Sequence, residues 1–262
     1  MKKEILKVNG IHLCLQESGQ GKDMILIHGK GYSRENMNIL FDHYENQYHV
    51  VSYDVRGHGE SDKPSHFTLE DDVQDLVSLI SVMNLKKPVV IGFSMGSYIT
   101  LKTAEEYPDL FSKIVLIGTK GGGTASSTQQ IQEQARKNGL SQKESMEMML
   151  HKVFAPATTM AEIQAFDRSI ASPVKLTAAQ QKTITESLQN FDLMQDACKV
   201  KVPALVLTGQ YDGINPPEEG KKVAEALPYG RFEVVPDAGH IAFFENSEYV
   251  FSMIDSFLSE EF

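Results

Sequence analysis

Residues Val89-Val90-Ile91-Gly92-Phe93-Ser94-Met95-Gly96 constrain this chain most. An apolar run of strand character passes at once into G-x-S-x-G, and Tyr98–Ala104 after it suits a helix. A serine on so sharp a strand-to-helix turn is pushed out above the end of a sheet. Only small residues fit at positions 92 and 96, because a side chain there would clash. The backbone N–H of Met95 falls at a helix N-terminus beside the Ser94 hydroxyl, where it can stabilise a developing oxyanion. The pentapeptide alone arises by chance in roughly one chain in ten of this length, so its strand–turn–helix setting carries the reading.

Short apolar runs recur along the chain with helical segments between them. Ile5–Val8 and Ile11–Leu15 flank Asn9-Gly10, a two-residue hairpin signal. Further strands are expected at Met24–Ile27, Val50–Tyr53, Val89–Ile91, Ile114–Ile117, Ala204–Leu207 and Phe232–Val235. Met37, Leu40, Phe41 and Tyr44 share one helical face, as do Val73, Leu76, Val77 and Ile80, and Val250, Met253, Ile254, Phe257 and Leu258. Strands alternating with helices imply an α/β fold with a mostly parallel sheet covered on both faces, and the opening hairpin implies an antiparallel edge.

One stretch breaks the alternation. Residues 120–198 contain no convincing strand and open on Gly121-Gly122-Gly123-Thr124-Ala125-Ser126-Ser127, a flexible composition. Three capping boxes follow: Ser141 with Glu144, Thr159 with Glu162, and Thr177 with Gln180. After the first, Met146, Met149, Leu150, Val153 and Phe154 fall on one face. The stretch reads as a helical lid insertion of three or four helices, anchored at the sheet edge where ligands of open α/β sheets bind. The core is then residues 1–119 and 199–262. Some of Met146, Met148, Met149, Phe154, Met160, Phe166, Phe191 and Met194 are expected to face the cleft.

A serine hydroxyl needs an adjacent base to act as a nucleophile, usually histidine. Of the eight histidines, His240 follows the last expected strand in Pro236-Asp237-Ala238-Gly239-His240, at the same sheet edge as Ser94. Asp212, in the loop after Ala204–Leu207, can orient the imidazole; Asp237, three residues before His240, is its rival. His28-Gly29-Lys30-Gly31 follows Met24–Ile27 and offers the Lys30 backbone N–H as a second oxyanion donor. The Lys30 side chain is expected to face solvent, with contact to an acidic substrate as the alternative, and His28 to be hydrogen-bonded within its loop. Asp54-Val55-Arg56-Gly57-His58-Gly59-Glu60-Ser61 reads as a tight turn with buried polar contacts, a metal or phosphate role being the weaker alternative.

The 262 residues suit one large α/β domain, and 41% hydrophobic with 23% charged residues is an ordinary globular balance. A net charge of −10 argues against nucleic acid and acidic membrane surfaces. The N-terminus has no apolar stretch of signal length and no run is long enough to span a bilayer. Cys14 and Cys198 make no disulfide framework, so a cytoplasmic location is expected, with Cys14 a small core residue. No Cys/His cluster has metal-ligand spacing, and neither metal nor cofactor is expected.

His28-Gly29-Lys30-Gly31, Asp54-Val55-Arg56-Gly57-His58-Gly59, Gly92-Phe93-Ser94-Met95-Gly96, and Asp212 with Gly239-His240 together resemble the α/β-hydrolase superfamily, in its lid-bearing single-domain branch. The order Ser94, Asp212, His240 is that superfamily's order. The match runs nearly end to end. Within the superfamily the chain is similar to the group of 3-oxoadipate enol-lactonases, biotin-pathway carboxylesterases and cofactor-free perhydrolases. The resemblance implies an eight-stranded sheet with the second strand antiparallel, a nucleophile after the fifth strand and a helical lid after the sixth. The chain departs from many relatives in having Gly96-Ser97 where they have two glycines, and in having no tryptophan. A serine at the elbow argues against haloalkane dehalogenases and epoxide hydrolases, which use aspartate there. The expected function is a serine hydrolase that cleaves a small carboxylic ester, lactone or thioester with an apolar acyl part, as a monomer or homodimer. Carbon–carbon bond hydrolysis of a diketone, or ligand binding and signalling without catalysis, are the alternatives.

Overall fold

The computed structural model describes residues 2–125 and 127–261; Met1, Phe262 and Ser126 of the flexible stretch lie outside the described residues. Among the described residues ten strands form: β1 (Lys2–Val8), β2 (Ile11–Ser18), β3 (Lys22–Ile27), β4 (Tyr48–Tyr53), β5 (Val89–Phe93), β6 (Lys113–Ile117), β7 (Gly122–Gly123), β8 (Phe191–Asp192), β9 (Ala204–Gly209) and β10 (Gly230–Val235). Eight of them make one sheet in the order β1-β2-β4-β3-β5-β6-β9-β10. β2 is antiparallel to both its neighbours, and the pairs from β4 to β10 are parallel. Asn9 and Gly10 both take positive φ, 44° and 81°. That is the type I′ turn an Asn-Gly pair favours, and its twist matches the strands it joins.

The helices are α1 (Asn38–Tyr44), α2 (Leu69–Val82), α3 (Met95–Glu106), α4 (Ser127–Lys137), α5 (Gln142–Val153), α6 (Met160–Ser169), α7 (Ala178–Ser187), α8 (Pro217–Ala226), α9 (Ala242–Glu245) and α10 (Ser247–Ser259). Parallel strands are buried on both faces, and side-chain alternation separates the two. Along β3, Ile25 and Ile27 join the cluster that holds Leu76 of α2, Ile99 of α3 and Val223 of α8. Met24 and Leu26 join the cluster that holds Phe41 of α1 and Ile254 of α10.

The three capping boxes at Ser141, Thr159 and Thr177 form in both directions and start α5, α6 and α7. A fourth, Thr68 with Asp71, starts α2; it escaped the sequence pattern because its N3 acid is aspartate. Two features of residues 120–198 differ from expectation. β7 and β8 pair across the neck of the segment, and Leu193 N–H donates to the Gly121 carbonyl at 2.7 Å. A two-residue strand of glycines has no propensity to read; closing the neck creates it. On α5, Met146 is 63% exposed and does not share the docked face. The helix is fastened at its C-terminal end, where the Lys152 and Val153 carbonyls accept from Gly213 and His240 N–H.

The loops after β3 and β4 are pinned by two buried histidines whose rings lie 5.1 Å apart. His28 Nδ1 donates to the Gly29 carbonyl at 2.8 Å, and its Nε2 accepts from Val55 N–H at 3.0 Å. His58 Nδ1 donates to the Arg56 carbonyl at 3.0 Å. Burial pushes His28 down to about 4 and His58 down to about 3, His28 adding to the effect on His58. Both rings are neutral in the folded state at pH 7. Their contribution to stability is present above the unfolded value near 6.5 and is lost as pH falls toward the folded values. Urea unfolding between pH 6 and pH 4.5 should therefore show stability falling with a slope of up to about 2.7 kcal/mol per pH unit from this pair. His58→Gln should remove about half of that slope.

Candidate active site

The parallel strands bring their C-terminal ends to one edge of the sheet, and the loops that leave β3, β5, β6, β9 and β10 there carry Lys30, Ser94, Lys120, Asp212 and His240. Ser94 ends β5 with φ 50° and ψ −114°, in the region non-glycine residues avoid. Its N–H donates to the Ile117 carbonyl at 2.8 Å, which extends the β5–β6 ladder. A Cβ on Gly92 would run into the Gly96 carbonyl and come 2.6 Å from Thr100 Oγ1, and a Cβ on Gly96 would run into the Ile27 carbonyl. Ser97, where many relatives have glycine, is buried and donates to the Ser94 carbonyl at 2.6 Å, so the turn absorbs it.

His240 Nδ1 lies 2.7 Å from Asp212 Oδ2, and His240 Nε2 lies 3.0 Å from Ser94 Oγ. A carboxylate only accepts, so Nδ1 carries the proton and Nε2 is left to accept from the Ser94 hydroxyl. The second Asp212 oxygen accepts from Ile214 and Asn215 N–H, each at 2.8 Å. The three side chains are nearly closed to solvent. Asp237 is exposed, with φ 53°, and the carboxylate that meets His240 is that of Asp212. Met95 is the first residue of α3, so its N–H has no intrahelical acceptor.

A cavity of about 290 Å³ opens at the Ser94 hydroxyl, lined by Gly29, Lys30, Gly31, Met95 and His240 on the core side. Met149 and Val153 of α5, Leu188 and Phe191 complete it from the intervening helical segment. Of the apolar residues expected to face the cleft, Met149 and Phe191 do so. Met146, Met160 and Met194 face solvent. Phe154 and Phe166 are buried in the second core cluster, Phe166 against Phe244 at 4.6 Å.

The Lys30 side chain departs from expectation. It is half-buried, lines the cavity, and donates to Thr128 Oγ1 of α4 at 3.1 Å. The helical segment folds over it, which no local pattern around residue 30 encodes. Lys120 was not singled out in the sequence. It follows β6 at the same edge, is 7% exposed, and donates to Ser127 Oγ at 3.1 Å. Counting residues past each strand end, as for Asp212, would have found it. Burial lowers both ammonium groups, Lys30 to about 8, with Lys120 as the second cause.

Below the site, Cys14, Asp54 and Glu60 come together with the spacing of metal ligands, a group that sequence distance hid. The buried Arg34 guanidinium pairs with both carboxylates, and Asp54 also accepts from Arg34 and Glu60 N–H at 2.7 and 2.8 Å. A guanidinium already supplies the positive charge there, and the Asp54–Ser61 stretch is a braced turn.

The family described as alpha/beta hydrolase fold matches residues 24–247. The chain belongs to that family and is a hydrolase of this fold. A 3-oxoadipate enol-lactonase of Acinetobacter baylyi is 24% identical over 221 residues, 82% of this chain and 80% of that protein. The structure of a thermophilic esterase from Thermogutta terrifontis is 26% identical with a TM-score of 0.80, over 98% of each chain. The enol-lactonase structure from Burkholderia xenovorans shares the fold at TM-score 0.85 and 23% identity, over 98% of this chain and all of that one.

Asn215 is a residue the sequence reading missed. Its Nδ2 reaches the Tyr98 hydroxyl at 2.7 Å and the Gly118 carbonyl at 2.6 Å, and its Oδ1 accepts from Ser127 Oγ at 2.9 Å. It ties the Asp212 loop to α3, β6 and α4. Asn215→Ala should lower the unfolding free energy by about 1–3 kcal/mol in urea titrations, because it strands buried partners.

Proposed function

We propose that this protein is a serine hydrolase that cleaves a small carboxylic ester, lactone or thioester through an acyl-enzyme. The observation that carries the reading is the continuous relay from Ser94 Oγ through His240 to Asp212 at the mouth of one cavity. Ser94 Oγ attacks the substrate carbonyl carbon while His240 Nε2 takes the hydroxyl proton. Asp212 holds the imidazole in the Nδ1–H tautomer and stabilises the imidazolium. The N–H groups of Met95 and Lys30 receive the oxyanion, one from a helix N-terminus and one from the loop after β3. As the tetrahedral intermediate collapses, His240 returns its proton to the leaving group. Water then repeats the sequence on the acyl-enzyme and frees the acid and Ser94. The ester and lactone chemistry named for the similar esterase and enol-lactonase supports this substrate class.

Residues 120–198 act in this reading as a helical lid on a core of residues 1–119 and 199–262. A cavity of about 290 Å³ is at the small end for ligand sites and supports a short acyl part, packed between Met149, Leu188 and Phe191.

A fluorophosphonate probe should label Ser94, and Ser94→Ala should abolish labelling; label that persists in the variant refutes the assignment. His240→Ala should lower kcat by about 10⁴–10⁶ and Asp212→Asn by roughly 10⁴, read with a p-nitrophenyl ester. If Asp237→Asn were the damaging change instead, the acid would be reassigned. Each buried methylene contributes about 0.8 kcal/mol, so kcat/KM for p-nitrophenyl esters should rise a few-fold per carbon from acetate, then fall once the cavity is full. A profile still rising at about twelve carbons would mean the cavity is open at its far end.

A further inference from the structure

The chain carries a net charge of −10, yet two lysines line its catalytic cavity and, among the described residues, no aspartate or glutamate does. Lys120 Nζ is held by Ser127 Oγ and, at 3.5 Å, by the Ala125 carbonyl, and it lies 5.6 Å from the centre of the Phe191 ring. Among the described residues no carboxylate forms an ion pair with it, and Glu219 of α8 acts on it only through space. Lys30 Nζ reaches the same wall one residue further on, at Thr128. Holding the Lys120 ammonium group away from water is costly unless something compensates, and the neighbouring Lys30 charge repels it. The rest of the wall is apolar, from Phe93, Met149, Val153 and Leu188.

We propose that the cavity takes an acyl group whose far end is a carboxylate, with the Lys120 and Lys30 ammonium groups as its counter-ions. The proposal rests on the serine-hydrolase reading only for the position of the acyl carbonyl at Ser94. An alkyl stem between the two ends matches the apolar wall, and a singly charged carboxylate matches ammonium groups that already spend donors on neighbouring hydroxyls. The simpler role for these lysines, tying down the start of α4, makes no demand on the substrate's charge. Charge preference therefore separates the two.

The test is the ratio of kcat/KM for mono-p-nitrophenyl glutarate to that for p-nitrophenyl valerate. The wild type should favour the carboxylate ester at least tenfold. Lys120→Met should lower the ratio at least tenfold, Lys120→Arg should keep most of it, and Lys120→Glu should bring it below one. Turnover of the neutral ester with no preference for the acidic one, or a ratio unmoved by Lys120→Met and Lys120→Glu, overturns the proposal. A second arm is independent of turnover: calorimetric titration of glutarate into the wild type and the Lys120→Met protein, with at least tenfold weaker binding expected in the variant. Equal binding to both, or tighter binding of inorganic phosphate than of glutarate by the wild type, also overturns it. If neither ester turned over and the fluorophosphonate left Ser94 unlabelled, the hydrolase reading would fall, and the glutarate titration would still decide the lysine pair.

Discussion

The backbone at Ser94 is the constraint on which the site depends. A non-glycine residue at φ 50° and ψ −114° carries strain on the order of 1–3 kcal/mol, and persists only where its surroundings over-determine it. Here they do. Gly92 and Gly96 let β5, α3 and β3 approach within distances no Cβ allows, the Ile117 carbonyl holds Ser94 N–H, and Ser97 Oγ holds the Ser94 carbonyl. The strain sets the serine above the sheet edge and starts α3 directly behind it. One local arrangement thus fixes both the hydroxyl and the N–H beside it.

The other groups are held to that point from two sides. The His240 ring is oriented by Asp212, while its backbone N–H donates to the Val153 carbonyl at the end of α5 at 2.6 Å. Glu245 binds the same neighbourhood together. One of its oxygens accepts from Ala155 N–H and the Thr158 hydroxyl, the other from Gly239 N–H beside the histidine. Asn215 does the equivalent work for the Asp212 loop. The helical segment is therefore stitched to both loops through main-chain bonds near Lys152–Ala155, and its outward face, with Met146 and Met160, is the part with least to hold it.

Charge is distributed to match. Surface carboxylates dominate the chain as a whole, whereas the cavity is apolar with two ammonium groups. Between the core and the helical segment each charge acts at a lower effective dielectric than it would on the open surface. Beneath it, neutral His28 and His58 and the Arg34–Asp54 pair brace the loops with buried polar contacts. These groups explain the glycine–histidine-rich segments without assigning them chemistry.

Local physics determined much of this in the sequence itself. Strand runs such as Val89–Ile91, the Asn9-Gly10 turn, the three capping boxes and the G-x-S-x-G turn each depend on residues a few positions apart, so they read directly. The alternation of strands and helices then placed Ser94, Asp212 and His240 at one edge, because every parallel strand ends there. Only the tertiary structure decided what depends on distant segments meeting. The β7–β8 pair exists because the neck of the helical segment closes. Lys30 turned from an expected surface residue into a cavity wall because α4 covers it, and Lys120 and Asn215 gained their partners from α4 and α3. The physical reason is that helix and turn signals are short-range, whereas burial and ion environment are sums over everything that packs nearby.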